Sequence, residues 1–98
     1  MHFKVVNSSL ANKTLFAEAS YVVERFGLKA ANDFLKNVEE LINLLQKDPF
    51  LFKNYKNDIY KVVVVKQITM FYAVEVDQIE ILLFWNTNRN PAVLKNML

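Results

Sequence analysis

Residues 59–86, IYKVVVVKQITMFYAVEVDQIEILLFWN, carry the reading that decides the fold. Three runs rich in Val, Ile and Phe, at 59–65, 68–76 and 79–86, are parted by Lys66-Gln67 and Asp77-Gln78. Two-residue breaks between β-branched runs are hairpin turns, so the stretch predicts an antiparallel meander of three strands. Side chains alternate along a strand, which assigns the faces. On the middle strand Ile68, Met70, Tyr72, Val74 and Val76 form the core face, opposite Thr69, Phe71, Ala73 and Glu75. On the last strand the same rule turns Ile79, Ile81, Leu83 and Trp85 inward and leaves Glu80, Leu82, Phe84 and Asn86 outside. On the first of the three, Tyr60, Val62 and Val64 point inward, with Lys61, Val63 and Val65 outward.

Upstream of this stretch the apolar period lengthens to that of a helix. From Leu10 to Phe26 the residues Leu15, Ala19, Val22 and Phe26 form one stripe, widened by Phe16 and Val23. Gly27, the only glycine, ends that helix where a residue of positive φ is wanted. Ala31, Phe34, Leu35, Val38, Leu41, Ile42 and Leu45 continue the spacing until Asp48-Pro49 stops it, so two helices form a hairpin. Phe3–Asn7 reads as an initial strand, closed by Ser8-Ser9, either of which can cap the helix that follows. Residues 50–58 lack periodicity and read as a connection held down by aromatic residues. Asn90-Pro91 suits the start of a short final helix running to about Met97.

The resulting class is α+β in the order βααβββ, a single domain over residues 1–98, with the helix hairpin on one face of a small, mainly antiparallel sheet. Two helices cover only one face. The other carries Val63, Val65, Phe71, Leu82 and Phe84, with Asn86 beside them, and apolar surface of that extent predicts a partner. The competing expectation is that residues 50–58 or the terminal helix fold over it.

Composition narrows the function classes. An apolar fraction of 53% with one Gly and two Pro excludes a disordered chain. The absence of Cys removes disulfide scaffolds, thiol nucleophiles and zinc–thiolate sites. His2 is the only histidine, expected at a frayed end, so neither a serine triad nor a metal site has its imidazole; no metal and no cofactor are expected. A net charge of +2 is far from the dense positive field of a nucleic-acid binder. No apolar run approaches the roughly 18 residues of a membrane span, and no signal sequence is read at the start, so no membrane partner is expected and the cytoplasm is the expected compartment.

Several stretches carry a family resemblance over nearly the whole chain. Ala30-Ala31-Asn32-Asp33-Phe34, the Leu44-Leu45…Asp48-Pro49 ending, Phe71-Tyr72-Ala73-Val74 and the run from Ile79 through Trp85-Asn86-Thr87-Asn88-Arg89-Asn90-Pro91 resemble the RelE/ParE toxin superfamily. The resemblance implies the toxin of a type II toxin–antitoxin pair, neutralised by a cognate antitoxin that would bury the exposed apolar face. ParE-like members poison DNA gyrase by contact; RelE-like members cleave messenger RNA on the ribosome, and the shared fold does not choose between them. Ribonucleolysis needs a proton acceptor, cations for the phosphorane and a donor to the leaving oxygen. The positions that the resemblance gives to Arg and His hold Thr69 and Asn86, and no Tyr follows Tyr72. What remains for chemistry is Lys61, Lys66 and Arg89. The leading expectation is therefore a gyrase-type toxin, the alternatives being a ribosome-dependent ribonuclease on those three cations or a non-toxic homologue that only binds an antitoxin.

Overall fold

The computed structural model describes residues 3–98, so the expectation about His2 lies outside the described residues. The elements are β1 (Lys4–Asn7), α1 (Ser9–Phe26), α2 (Leu28–Lys47), β2 (Lys53–Lys56), β3 (Ile59–Val65), β4 (Ile68–Val74), β5 (Gln78–Asn86) and α3 (Pro91–Met97). They make a five-stranded sheet in the order β1-β5-β4-β3-β2. All pairings are antiparallel except β1 with β5, a parallel pair whose connection spans α1, α2 and the three strands between.

Local signals act where the sequence places them. Ser8 caps α1: its Oγ accepts from the Ala11 N–H at 2.9 Å. Gly27 alone joins α1 to α2, with φ 95° and ψ 174°, a conformation open essentially to glycine. Asn90 caps α3 through its Oδ1 and the Ala92 N–H at 3.0 Å, with Pro91 in the first turn.

Four expectations are corrected. Residues 50–58 are not a bare connection: Lys53–Lys56 is an edge strand paired with β3 across a tight turn at Asn57, whose φ is 48°. A four-residue strand of Lys, Asn and Tyr shows no apolar alternation, so its signal is the turn and not the strand. The last turn is wider than expected, β4 ending at Val74 and Val76 standing 98% exposed at its tip. On α1 the face toward the sheet is Ala11, Thr14, Glu18 and Val22, while Phe16, Val23 and Phe26 are exposed, as is Leu35 on α2. Polar Thr14 and Glu18 take core positions because β5 supplies their partners, which an apolar count cannot register.

The fourth correction reassigns the sheet faces. Phe71 pairs with Leu83 but Tyr72 pairs with Ile81, so Leu82 is the extra residue of a β-bulge. Its carbonyl accepts from Ser8 Oγ at 2.8 Å, tying the bulge to the start of α1. Beyond it the alternation reverses. Phe84 and Asn86, expected on the outer face, turn toward the helices and are buried, whereas Leu83 and Trp85, expected inside, join the outer face. A second bulge at Val64 between Val63 and Val65 turns Val65 in beside Val64, leaving Tyr60, Val62 and Val64 inward as expected.

The sheet thus carries two cores. Under the helix hairpin Phe34, Val38, Leu45, Ile68, Met70, Tyr72, Ile79, Ile81 and Phe84 pack together. On the far side Phe71, Leu83 and Trp85 are covered by Leu94 of α3, with Tyr55, Leu82, Met97 and Leu98 packed around them. The terminal helix therefore covers most of the face expected to be open, and Phe71 is only 3% exposed. Val63, at 61% exposure, remains uncovered.

Candidate functional site

Three outward positions of the sheet lie beside α3, Thr69 and Trp85 buried there and Lys61 half-exposed. Thr69 on β4 and Trp85 on β5 lie directly opposite each other, and Lys61 on β3, paired with Phe71, is diagonal to Thr69, whose own partner on β3 is Val63. With Tyr55 from β2, Thr87 and Arg89 from the segment after β5, and Pro91 and Leu94 from α3, they line a trough of about 220 Å³. Lys61 also borders a second hollow of about 290 Å³, shared with Phe52, Lys53, Val62, Val63 and Thr69.

Cations and aromatic rings alternate in the trough. Lys61 Nζ stands 5.6 Å from the Tyr55 ring centroid, and the Arg89 guanidinium carbon 5.8 Å from that of Trp85. Tyr55 meets Phe71 edge to face at 5.2 Å, which fixes the plane on which Lys61 rests. Neither cation has a carboxylate within ion-pair distance among the described residues. Both therefore keep free hydrogen-bond donors for an incoming anionic group, Arg89 in the fork that suits a carboxylate or phosphate.

The structure brings Lys61 and Arg89 together and separates Lys66 from them. Lys66 sits in the β3–β4 turn and borders a hollow of about 400 Å³ beside Tyr21, Phe26, Asp33 and Phe34, at the tip of the helix hairpin. Among the outward apolar candidates, Val63 lines the neighbouring hollow, Phe71 lines the trough, and Leu82 packs with the core under α3. Val65, Phe84 and Asn86 face the helices. Sequence reasoning missed Tyr55, Trp85 and Thr87. Trp85 was hidden by the bulge, and Tyr55 by a strand too short to show a period.

Tyr72, the tyrosine nearest the end of β4, is no proton donor to this trough. It lies in the helix-side core, stacked on Tyr60 at 5.7 Å, its hydroxyl donating to the Pro49 carbonyl at 3.3 Å. Burial pushes its phenol far above the ordinary tyrosine range, and the neighbouring Tyr60 and Asp48 add to that.

A family model described as the ParE toxin of the type II toxin–antitoxin system, parDE, matches residues 5–91. The chain belongs to the ParE toxin family. Its fold is shared with a chain of the chromosomal ParDE toxin–antitoxin system from P. aeruginosa, with a TM-score of 0.71 at 15% identity, over 87% of this chain and 96% of that one. The YoeB dimer from Staphylococcus aureus aligns at TM-score 0.56 and 16% identity, over 83% and 92% of the two chains. The YoeB–YefM complex from the same organism aligns at 0.57 and 15%, over 86% and 95%. No curated protein is similar enough in sequence to count as a relative. Among the described residues of this ParE family member, no helix is long and apolar enough to cross a membrane.

Proposed function

We propose that this chain arrests growth as a gyrase-type toxin, by contact with its target rather than by chemistry. The observation that supports this reading best is the make-up of the trough. Its lining joins Lys61 and Arg89 to Tyr55, Phe71 and Trp85, and includes neither carboxylate nor imidazole. Such a lining grips an anionic or aromatic group but lacks the side chains that most often take a proton from a 2′-hydroxyl. A supercoiling assay with purified gyrase tests it: inhibition by micromolar protein, lost in Arg89→Ala, is the expected result. Unimpaired supercoiling overturns it.

A cognate antitoxin is the second part of the proposal. The solved relatives include a ParDE system and a YoeB–YefM complex, which makes a protein partner the natural expectation here. The surface we assign to it is the free edge of β2 with Val63 and the trough beside it. An edge strand with Lys53 and Lys56 exposed offers unpaired backbone groups and positive charge to an extended acidic segment. Lys61→Glu together with Val63→Asp is expected to abolish co-purification with the antitoxin encoded in the neighbouring reading frame, while the far-ultraviolet circular dichroism stays unchanged.

The ribonuclease reading keeps one supporting observation, that Lys61 and Arg89 line one cavity. Pulse labelling after induction separates the two. Early loss of thymidine incorporation favours gyrase; early loss of amino-acid incorporation favours the ribosome, with Lys61→Ala and Arg89→Ala then expected to abolish cleavage.

A further inference from the structure

Between the two cations of the trough lies a hydroxyl that the fold does not use. Thr69 is 8% exposed, yet among the described residues no hydrogen bond engages its Oγ1. No side-chain oxygen or nitrogen is both fully buried and unpartnered among those residues, so this oxygen opens into the space beside it. That space is the trough on one side and the neighbouring hollow on the other, and Thr69 lines both. Thr14, the other buried threonine, spends its hydroxyl on the Leu10 carbonyl and the Phe84 N–H. Buried polar groups are ordinarily paired, so one left over within its own chain is free for a ligand.

Its neighbours decide what kind. Register sets Trp85 directly opposite Thr69 and Lys61 on the diagonal, and the Lys61 ammonium over Tyr55 and the Arg89 guanidinium over Trp85 flank the hydroxyl with charge. The hydroxyl of Thr87 is already spent on the Gln67 carbonyl at 3.3 Å. An incoming group therefore meets a guanidinium fork, an ammonium and a free hydroxyl, and no competing carboxylate. An ionised carboxylate has two oxygens with about four lone-pair sites, and these donors match them: two from the fork, one from Lys61 and one from Thr69. A phosphodiester suits the place less well. Its ester links leave the phosphorus in two directions, whereas a side-chain tip enters by one, and the trough is only about 220 Å³, walled by Pro91 and Leu94.

The geometry points to the trough as a carboxylate site, filled by the tip of an aspartate or glutamate of the protein it contacts, with Thr69 Oγ1 as the neutral donor between Lys61 and Arg89. That the carboxylate comes from a protein rests on the gyrase-type reading; the three donors do not.

The test is a titration of the ¹⁵N-labelled full chain with N-acetyl-glutamate amide, followed at the Thr69 amide and at the indole N–H of Trp85, the only tryptophan. N-acetyl-glutamine amide and dimethyl phosphate are the comparison probes. Saturable shifts are expected with glutamate, about tenfold weaker with glutamine and weaker with dimethyl phosphate. Thr69→Val is expected to weaken glutamate binding about tenfold at an unchanged urea midpoint, since its hydroxyl has no partner in the chain. Thr69→Ser is expected to keep the binding, as is Lys66→Ala, outside the trough. A lowered midpoint in Thr69→Val would show that the hydroxyl serves the fold and overturn the assignment. No saturable response to glutamate, an equal one to glutamine, an equal or stronger one to dimethyl phosphate, unchanged binding in Thr69→Val, or loss in Thr69→Ser or Lys66→Ala would do the same. Gyrase supercoiling is read in parallel. Inhibition weakened in Thr69→Val together with probe binding supports the carboxylate as part of the contact. Full inhibition by Thr69→Val that no longer binds the probe overturns it and leaves the gyrase-type reading standing, whereas glutamate binding by a chain that leaves gyrase untouched overturns that reading and supports the site.

Discussion

Thr14 holds helix and sheet together with one oxygen. Its hydroxyl accepts from the buried Phe84 N–H at 2.9 Å and donates to the Leu10 carbonyl at 2.8 Å within its own helix. The Phe84 amide is a β5 donor that the sheet leaves free. Thr14→Val keeps the shape and orphans that amide, so a loss of about 1–3 kcal/mol is expected in urea unfolding with an unchanged slope. Tyr72 makes a second expectation, one of pH. Its folded pKa lies above the unfolded value, so the stability it contributes is complete below the unfolded tyrosine pKa of about 10 and is lost as pH climbs past it toward the folded value. In a spectrophotometric titration Tyr72 should ionise only as the chain unfolds, and Tyr72→Phe should flatten that alkaline limb. Residues of this kind were the least legible. Thr14 and Glu18 lie outside the apolar stripe of Leu15, Ala19, Val22 and Phe26, because their core role depends on which β5 groups face them. Lys61 and Val63 were legible, since a cation in an apolar run and an outward valine declare themselves by type and parity, whereas Arg89, in the polar run 86–90, was singled out only through the family resemblance.

At the scale of elements, what the sequence announces through turn chemistry and period is what the fold keeps. The helix hairpin, the three long strands and the Asn90-Pro91 start of α3 follow from local rules that no packing overrides. Gly27 is the sharpest case. A Cβ there meets nothing within 4 Å, so Gly27→Ala is opposed by the backbone alone, and a cost of order 1–3 kcal/mol is expected in thermal unfolding. Strand order, the β2 edge and both bulges were not legible, because each is settled by pairing between distant segments. Helix α3 invites a test of its own. Leu94 is the buried residue of that helix, packed on Phe71, Leu83 and Trp85. Leu94→Ala is expected to cost about 2–4 kcal/mol and to red-shift the emission of the only tryptophan, Trp85, as water reaches it.

Across the whole molecule, one sheet separates two cores of unequal size, the larger under the helix hairpin and the smaller under α3. The trough lies at the border of the smaller one, so the surface proposed for the target rests on the less deeply buried half. Trp85 fluorescence samples that half, and far-ultraviolet circular dichroism is dominated by α1 and α2. Coincident denaturant transitions by the two probes are expected if both halves unfold as one unit; an earlier Trp85 transition would mark α3 as separable. The bulge at Leu82 acts on this same border. Side chains of β5 before it face the helices at odd numbers, and those after it at even numbers, so the strand carries a phase slip in the middle. A residue transplanted from another toxin into β5 must therefore be counted from Leu82 and not from the strand's first residue. An insertion or deletion of one residue there would exchange Trp85 with its neighbours between solvent trough and helical core, converting a surface for grasping into one for packing.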